Sequence, residues 1–293
     1  MNFLIRNKWC LGWVILLGII FTHSAWAYSS ADAMRLRTQI PVVDGSMPPD
    51  ILAIQKRGVL RVGIYNVPVP PFTMVDAKGN WTGVEIDFGQ MVATEFGVKL
   101  QIVPTDSYDD LITLITENKI DMAAGISILP IRQIKVSFSN PYYIYHPHLV
   151  VNRLAASQRG WTTPALILSG MQKTTEPLRV GVFAGSAVAQ VIKQNFPNLQ
   201  VVMYQDRDQS FLDVANGKIF ASVGASPLSI QDFLNHNPQA ALRAQDIEVP
   251  QIQDLLGVAI PWQSFHLRAW LNIYIEYLKQ NGVREQLAKK YGY

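Results

Sequence analysis

From residue 50 onward the apolar positions follow two alternating periods, one of about two residues and one of about 3.6, broken by Gly, Pro and Asn clusters. Asp50 stands before an apolar-periodic stretch, Ile51 to Arg57, which predicts a short helix capped by Asp50 and ended by Gly58. Val59 to Tyr65, apolar at Val59, Leu60, Val62 and Ile64, reads as a strand. A proline-rich turn, Pro68 to Pro71, and a hairpin turn at Asp76 to Asn80 follow. Glu85 to Phe96 predicts a helix that Gly97 ends, with Glu85 and Asp87 expected to cap and orient it. Leu100 to Val103 is a strand. Ser107 is placed to cap a helix running to Glu117, and Ile120 to Ala124 is the next strand.

A second series with the same rhythm begins at Arg179. Strands are expected at Arg179 to Phe183, Val201 to Tyr204 and Ile219 to Val223. Helices are expected from Gly185-Ser186 to Asn195, Gln209 to Asn216 and Pro227 to Leu234. A Pro/Ser/Gln-rich stretch, residues 155 to 177, separates the two series. The C-terminus, His266 to Tyr291, reads as two helices broken at Asn281-Gly282. A β-α rhythm occurring twice implies an α/β architecture of two lobes, and small ligands bind such folds in the cleft at the strand ends.

The beginning of the chain has a different pattern. Arg6 and Lys8 precede an apolar run from Leu11 to Phe21, and Ala25-Trp26-Ala27 fits a small-x-small cleavage site, so residues 1–27 are expected to be an export signal. The run is shorter than the roughly 20 residues that cross a bilayer. Removing Arg6 and Lys8 from the 25 basic residues leaves 23 against 22 acids, so the net positive charge comes largely from the leader. Nothing then suggests a nucleic-acid partner, which needs a clustered basic face. The single cysteine, Cys10, lies in the leader, which leaves the exported chain without disulfides, thiolate chemistry or cysteine-bound zinc. With half its residues apolar and only 16% charged, the chain can bury a substantial core. No cofactor motif is present.

A set of short motifs occurs in a fixed order: Gly58-Val59-Leu60-Arg61-Val62-Gly63, Pro71-Phe72, Asp76-x-x-Gly79, Gly83-Val84-Glu85-Ile86-Asp87 and Asn118-Lys119-Ile120-Asp121. Next come Gly125-Ile126-Ser127-Ile128-Leu129-Pro130-Ile131-Arg132 and Phe138-Ser139-Asn140-Pro141-Tyr142-Tyr143. Val180-Gly181-Val182 with Gly185-Ser186, and Asn281-Gly282-Val283-Arg284 onward, complete it. This ordered set resembles the periplasmic solute-binding proteins of family 3, the polar amino-acid type. The resemblance implies a type II two-lobed fold with a ligand cleft between lobes joined by two hinge strands. The implied divisions are a leader at 1–27, an arm at 28–49, a first lobe from 50–149 and 249–293, and a second lobe at 150–248. Hinges are implied near Leu149 to Asn152 and Glu248 to Gln251. It further implies a periplasmic monomer that hands a small carboxylate, an amino acid or related organic acid, to an inner-membrane ABC permease.

On that resemblance Arg132 is the carboxylate-binding residue, since a guanidinium presents a planar fork of donors. Ser127 and the Gly125 backbone serve the same carboxylate, and Gly185 with Ser186 adds donors from the second lobe. Tyr108 forms a wall for the ligand side chain, while Val69 stands where relatives often carry a second aromatic. Relatives also carry an aspartate, for the ligand's α-ammonium, where this chain has Ala225. Asp206, Asp208 and Glu85 are the candidates to replace it. His146 and His148 share a strand face as a possible metal pair, with no third ligand in the sequence. Two alternatives stand beside the transport reading: a cyclohexadienyl or arogenate dehydratase-like enzyme, and a ligand-sensing accessory protein.

Overall fold

The computed structural model describes residues 47–184 and 188–292. The expected leader and residues 28–46 of the arm lie outside the described residues. The first helix, α1 (Pro49–Arg57), begins with proline at its first position, and its cap residue is Pro48, with no side-chain cap bond. Asp50 is thus not the cap residue the sequence suggests, but it sits in the first turn, where its Oδ1 accepts from the Ile51 N–H at 2.9 Å. Its Oδ2 also accepts from the backbone N–H groups of His266 and Leu267, at 3.1 and 3.0 Å, at the start of a helix more than two hundred residues away. Gly58 closes α1 in the left-handed conformation, φ 73°.

The chain continues through β1 (Val59–Tyr65), β2 (Met74–Val75), β3 (Trp81–Thr82), α2 (Val84–Phe96), β4 (Lys99–Thr105) and α3 (Tyr108–Thr116). Ser107 caps α3 as expected, accepting from the N–H of Asp110 at 3.0 Å. Next come β5 (Ala123–Ser127), the single turn α4 (Pro130–Gln133), β6 (Val136–Phe138) and β7 (Tyr143–Tyr145). Strand β1 pairs in parallel with β4, Val62 facing Ile102. The strand expected at 120–124 is shifted to 123–127. Residues 120–122 only bridge to β1, through Val62 and Met122, where the Asp121 carboxylate takes both Arg57 and Arg61.

The following segment forms a sheet of its own. It contains β8 (His148–Asn152), α5 (Arg153–Gln158), α6 (Pro164–Lys173), β9 (Arg179–Phe183), α7 (Val188–Asn195), β10 (Gln200–Tyr204) and α8 (Arg207–Ala215). β11 (Ala221–Ala225), α9 (Pro227–His236), α10 (Pro238–Arg243) and β12 (Ala244–Glu248) complete it. The strand order is β10-β9-β11-β8-β12. The stretch at 155–177, read above as a separator, holds most of α5 and all of α6. Thr163 caps α6, Pro164 opens it, and Ile167, Leu168 and Met171 enter the core beneath β9. The count of polar residues there concealed one apolar helix face.

The chain then returns to the first half as β13 (Asp254–Pro261), which pairs antiparallel with β5, β6 and β7 in a four-stranded sheet separate from the β1–β4 pair. Helices α11 (Phe265–Gln280) and α12 (Val283–Tyr291) follow, broken at Asn281-Gly282 as the sequence indicates. Buried residues divide along the same line. Leu60, Val62, Val92, Val258 and Leu271 belong to one cluster, and Leu149, Val180, Phe196 and Ile247 to another. The chain passes between the sheets twice, at His146-Pro147 and at 249–253. These passages are tied together, Val249 N–H donating to the Pro147 carbonyl at 2.9 Å and His146 Nδ1 lying 3.0 Å from the Ile252 carbonyl. Leu149 to Asn152, expected near a hinge, are inside β8 and paired with β11 and β12.

Candidate functional site

Both sheets present strand ends and loops to one cavity of about 120 Å³. An engineered cavity of roughly 150 Å³ holds benzene, so this is space for a single small organic molecule. Four of the six residues singled out from the sequence line it: Tyr108, Gly125, Ser127 and Arg132. Gly185 and Ser186 lie outside the described residues.

Arg132 reaches the cavity because Pro130 opens the one-turn helix α4, folding the chain back along β5. Arg132 as a residue is buried, 8% exposed, and donates through Nη1 to the Ser127 carbonyl at 3.3 Å. Burial lowers its affinity for a proton, and Asp109, Asp254 and Tyr108 raise it. Gly125 has φ 69°, which only glycine adopts without strain, and its N–H donates to the Tyr142 hydroxyl at 2.6 Å. A Cβ at that position would come within 1.6 Å of Glu85 Oε1.

Glu85 is the first correction to the sequence reading of the site. It does not cap α2, whose start carries no side-chain cap bond. Its carboxyl lines the cavity with no hydrogen bond or ion pair among the described residues, and burial pushes its pKa up to about 8. Asp87, its expected companion, leaves the cap as well, accepting from Lys290 and Tyr291 of α12 at 2.6 and 2.9 Å.

The candidates to replace an acid at 225 are divided by the fold. Asp206 caps α8, accepting from the N–H groups of Asp208 and Gln209, and Asp208 is exposed beside Arg207. Neither lines the cavity, whereas Glu85 does. Ala225 itself ends β11, its backbone opposite His148.

Several lining residues escaped the sequence reading. Asp254, at the start of β13, accepts from the Ser127 hydroxyl at 2.8 Å. Tyr65 stacks on Tyr108, ring centroids 5.1 Å apart, and meets Phe183 of the second sheet edge-on at 5.5 Å. Val69 lines the cavity as well, so the aromatic wall there comes from Tyr65, Tyr108 and Phe183. Burial raises the phenol pKa values of both Tyr65 and Tyr108. Arg207 and Ser226 reach from the second sheet to the Pro68 and Pro70 carbonyls of the first, the Arg207 bond being 3.3 Å long. His146 and His148 take separate partners, the Ile252 carbonyl and Asp246, and no group of metal-ligating side chains occurs among the described residues.

A cleft between two α/β lobes, with an arginine on a β-turn-helix motif in its wall, is the arrangement the ordered motifs anticipated. The family model for bacterial extracellular solute-binding proteins, family 3, matches residues 60–293. The chain belongs to this family. Among family 3 proteins it is 27% identical to the lysine/arginine/ornithine-binding periplasmic protein of Escherichia coli, over 79% of this chain and 86% of that one. It is 25% identical to an L-cystine-binding protein of Escherichia coli over 81% of this chain and 84% of that one. The crystal structure of an ancestral amino acid-binding protein, a precursor of cyclohexadienyl dehydratase, superposes with a TM-score of 0.67 at 27% identity, covering 82% of this chain and 98% of that one. This family 3 chain therefore has the type II periplasmic-binding-protein fold, and its relatives are amino-acid-binding periplasmic components of ABC transporters. No helix among the described residues is long and apolar enough to cross a membrane.

Proposed function

We propose that this chain is the periplasmic substrate-binding component of an ABC importer, closing two lobes around a small carboxylate ligand, an amino acid or a close relative of one. The observation that carries the reading is the pairing of Arg132 with Ser127 on a buried cavity wall between the lobes. A guanidinium held out of water offers a carboxylate strong, directional hydrogen bonds. Ligand engaging both lobes favours the closed form by its differential affinity, and the closed form presents both lobes to a permease. Tyr108, with Tyr65 and Phe183, supplies an apolar wall for the rest of the ligand.

The test is thermal shift and calorimetric titration with amino acids and organic acids. Arg132→Ala is expected to weaken the cognate ligand by roughly a hundredfold, about 3 kcal/mol. Unchanged affinity with an intact circular dichroism spectrum rejects the assignment.

One observation favours a second reading. A carboxyl kept protonated near neutrality, as Glu85 is, could serve a dehydratase as a general acid. Turnover of prephenate or arogenate, abolished in Glu85→Gln, is the outcome that establishes the enzyme over the binding protein.

A further inference from the structure

Behind the cavity between the lobes lies a second one, of about 320 Å³, lined by the first lobe alone. The two share only Phe72 and Glu85 in their walls. Three helices turn apolar faces into it. Phe88 and Met91 stand one turn apart on α2, Ile275 and Leu278 on α11, and Val283 and Leu287 on α12. Side chains at this spacing ordinarily interdigitate with a neighbouring element, and protein interiors leave few voids larger than a water molecule. Here they end on open space, of a size within the range of small-molecule sites, roughly 300–1,000 Å³.

The charges around this cavity leave one cation over. Lys279 Nζ pairs with Glu276 Oε2 at 3.7 Å. Glu85 keeps its proton near neutrality, since burial pushes its pKa up to about 8. Arg284 is exposed and has no hydrogen bond or ion pair among the described residues. Its guanidinium carbon lies 5.9 Å from the centre of the Tyr143 ring, and that ring meets Phe72 edge-on at 5.3 Å. The arginine is thus held over an aromatic face at the rim, with its donors open. An apolar chamber with one unpaired guanidinium at its mouth is complementary to a molecule with an apolar body and one anionic end.

We propose that this cavity is a second binding site, for a small amphipathic organic anion whose carboxylate or sulfonate pairs with Arg284. The site does not depend on what the cleft between the lobes holds, and it goes beyond the transport reading.

The experiment titrates the purified protein with 1-anilinonaphthalene-8-sulfonate, whose fluorescence rises in apolar surroundings, and then adds octanoate or octylammonium as competitor. Wild type is expected to bind the dye saturably at a single site, from which octanoate displaces it and octylammonium does not. Arg284→Gln, a change at an exposed position, is expected to weaken the dye roughly tenfold or more. Met91→Trp fills the chamber and is expected to abolish binding, with circular dichroism confirming the fold. Arg132→Ala, in the other cavity, is expected to leave dye affinity as it is. Dye binding that survives both Arg284→Gln and Met91→Trp overturns the proposal, as does equal displacement by the two competitors or a wild type silent to dye and octanoate. A loss in Arg132→Ala places the dye in the cleft and overturns it as well. A wild type that sediments as a dimer, dissociated by Met91→Trp, makes a second copy of the chain the occupant and rejects the small anion.

Discussion

Glu85 sits in the first turn of α2, where an acid ordinarily faces solvent and the positive helix end. Here it is held inside, and its carboxyl pKa rises to about 8 from an ordinary 4.5. At acid pH, below the unfolded value, both states carry the proton and the group adds no pH dependence. Between the two values the unfolded chain releases a proton that the fold retains. Stability should thus fall as pH rises through this window, by up to about 1.4 kcal/mol per unit, and level off above it. Glu85→Gln is expected to flatten the slope, read from urea unfolding at a series of pH values. A slope equal to the wild type's would show the carboxyl to be ionised in the fold. The sequence shows an acid near a helix start but not the space it enters. That space exists because residue 125, forty positions on, has no Cβ. That Ser127 and Arg132 share one wall of the cavity was legible because they stand in one contiguous motif. Asp254 was not, since β13 alone brings it to Ser127.

At the scale of elements, local signals succeeded where the partner is local. Ser107 precedes α3 and caps it; Gly58 and Gly97 end α1 and α2. They failed where the partner is distant. Asp50 looks like the cap of its own helix alone, yet besides the Ile51 N–H it holds the first turn of α11. Asp50→Ala is expected to cost about 1 kcal/mol through loss of that cap. Asp50→Asn should recover much of it, and the pair is compared by chemical denaturation. A loss confined to α1, seen as faster amide exchange there and not in α11, would contradict the assignment. The helices α5 and α6 were missed because the stretch was read by its polar majority. Its order is set by Ile167, Leu168 and Met171 on one face of α6.

For the whole molecule, the two-lobed α/β plan followed from the doubled β-α rhythm, but the contacts that close it did not. Besides the Tyr65–Phe183 ring contact, they go to backbone carbonyls at Pro68 and Pro70, which no side-chain pattern advertises. Arg207→Ala removes one of them. It is expected to raise the radius of gyration of the unliganded protein in small-angle scattering and to weaken ligand binding a few-fold, roughly 1 kcal/mol. An unaltered scattering curve would place the closing energy elsewhere.

The position of β13 has a further effect. It is the strand on which β5, β6 and β7 all pair, yet it is encoded after every strand of the second sheet. A chain that emerges N-terminus first, as on crossing a membrane, therefore presents the first lobe's opening half with its central strand still missing. The second lobe, whose strands are one unbroken segment, can close as soon as that segment has emerged. The lobe that comes second in the sequence is then the first able to finish folding, and the first must wait for β13.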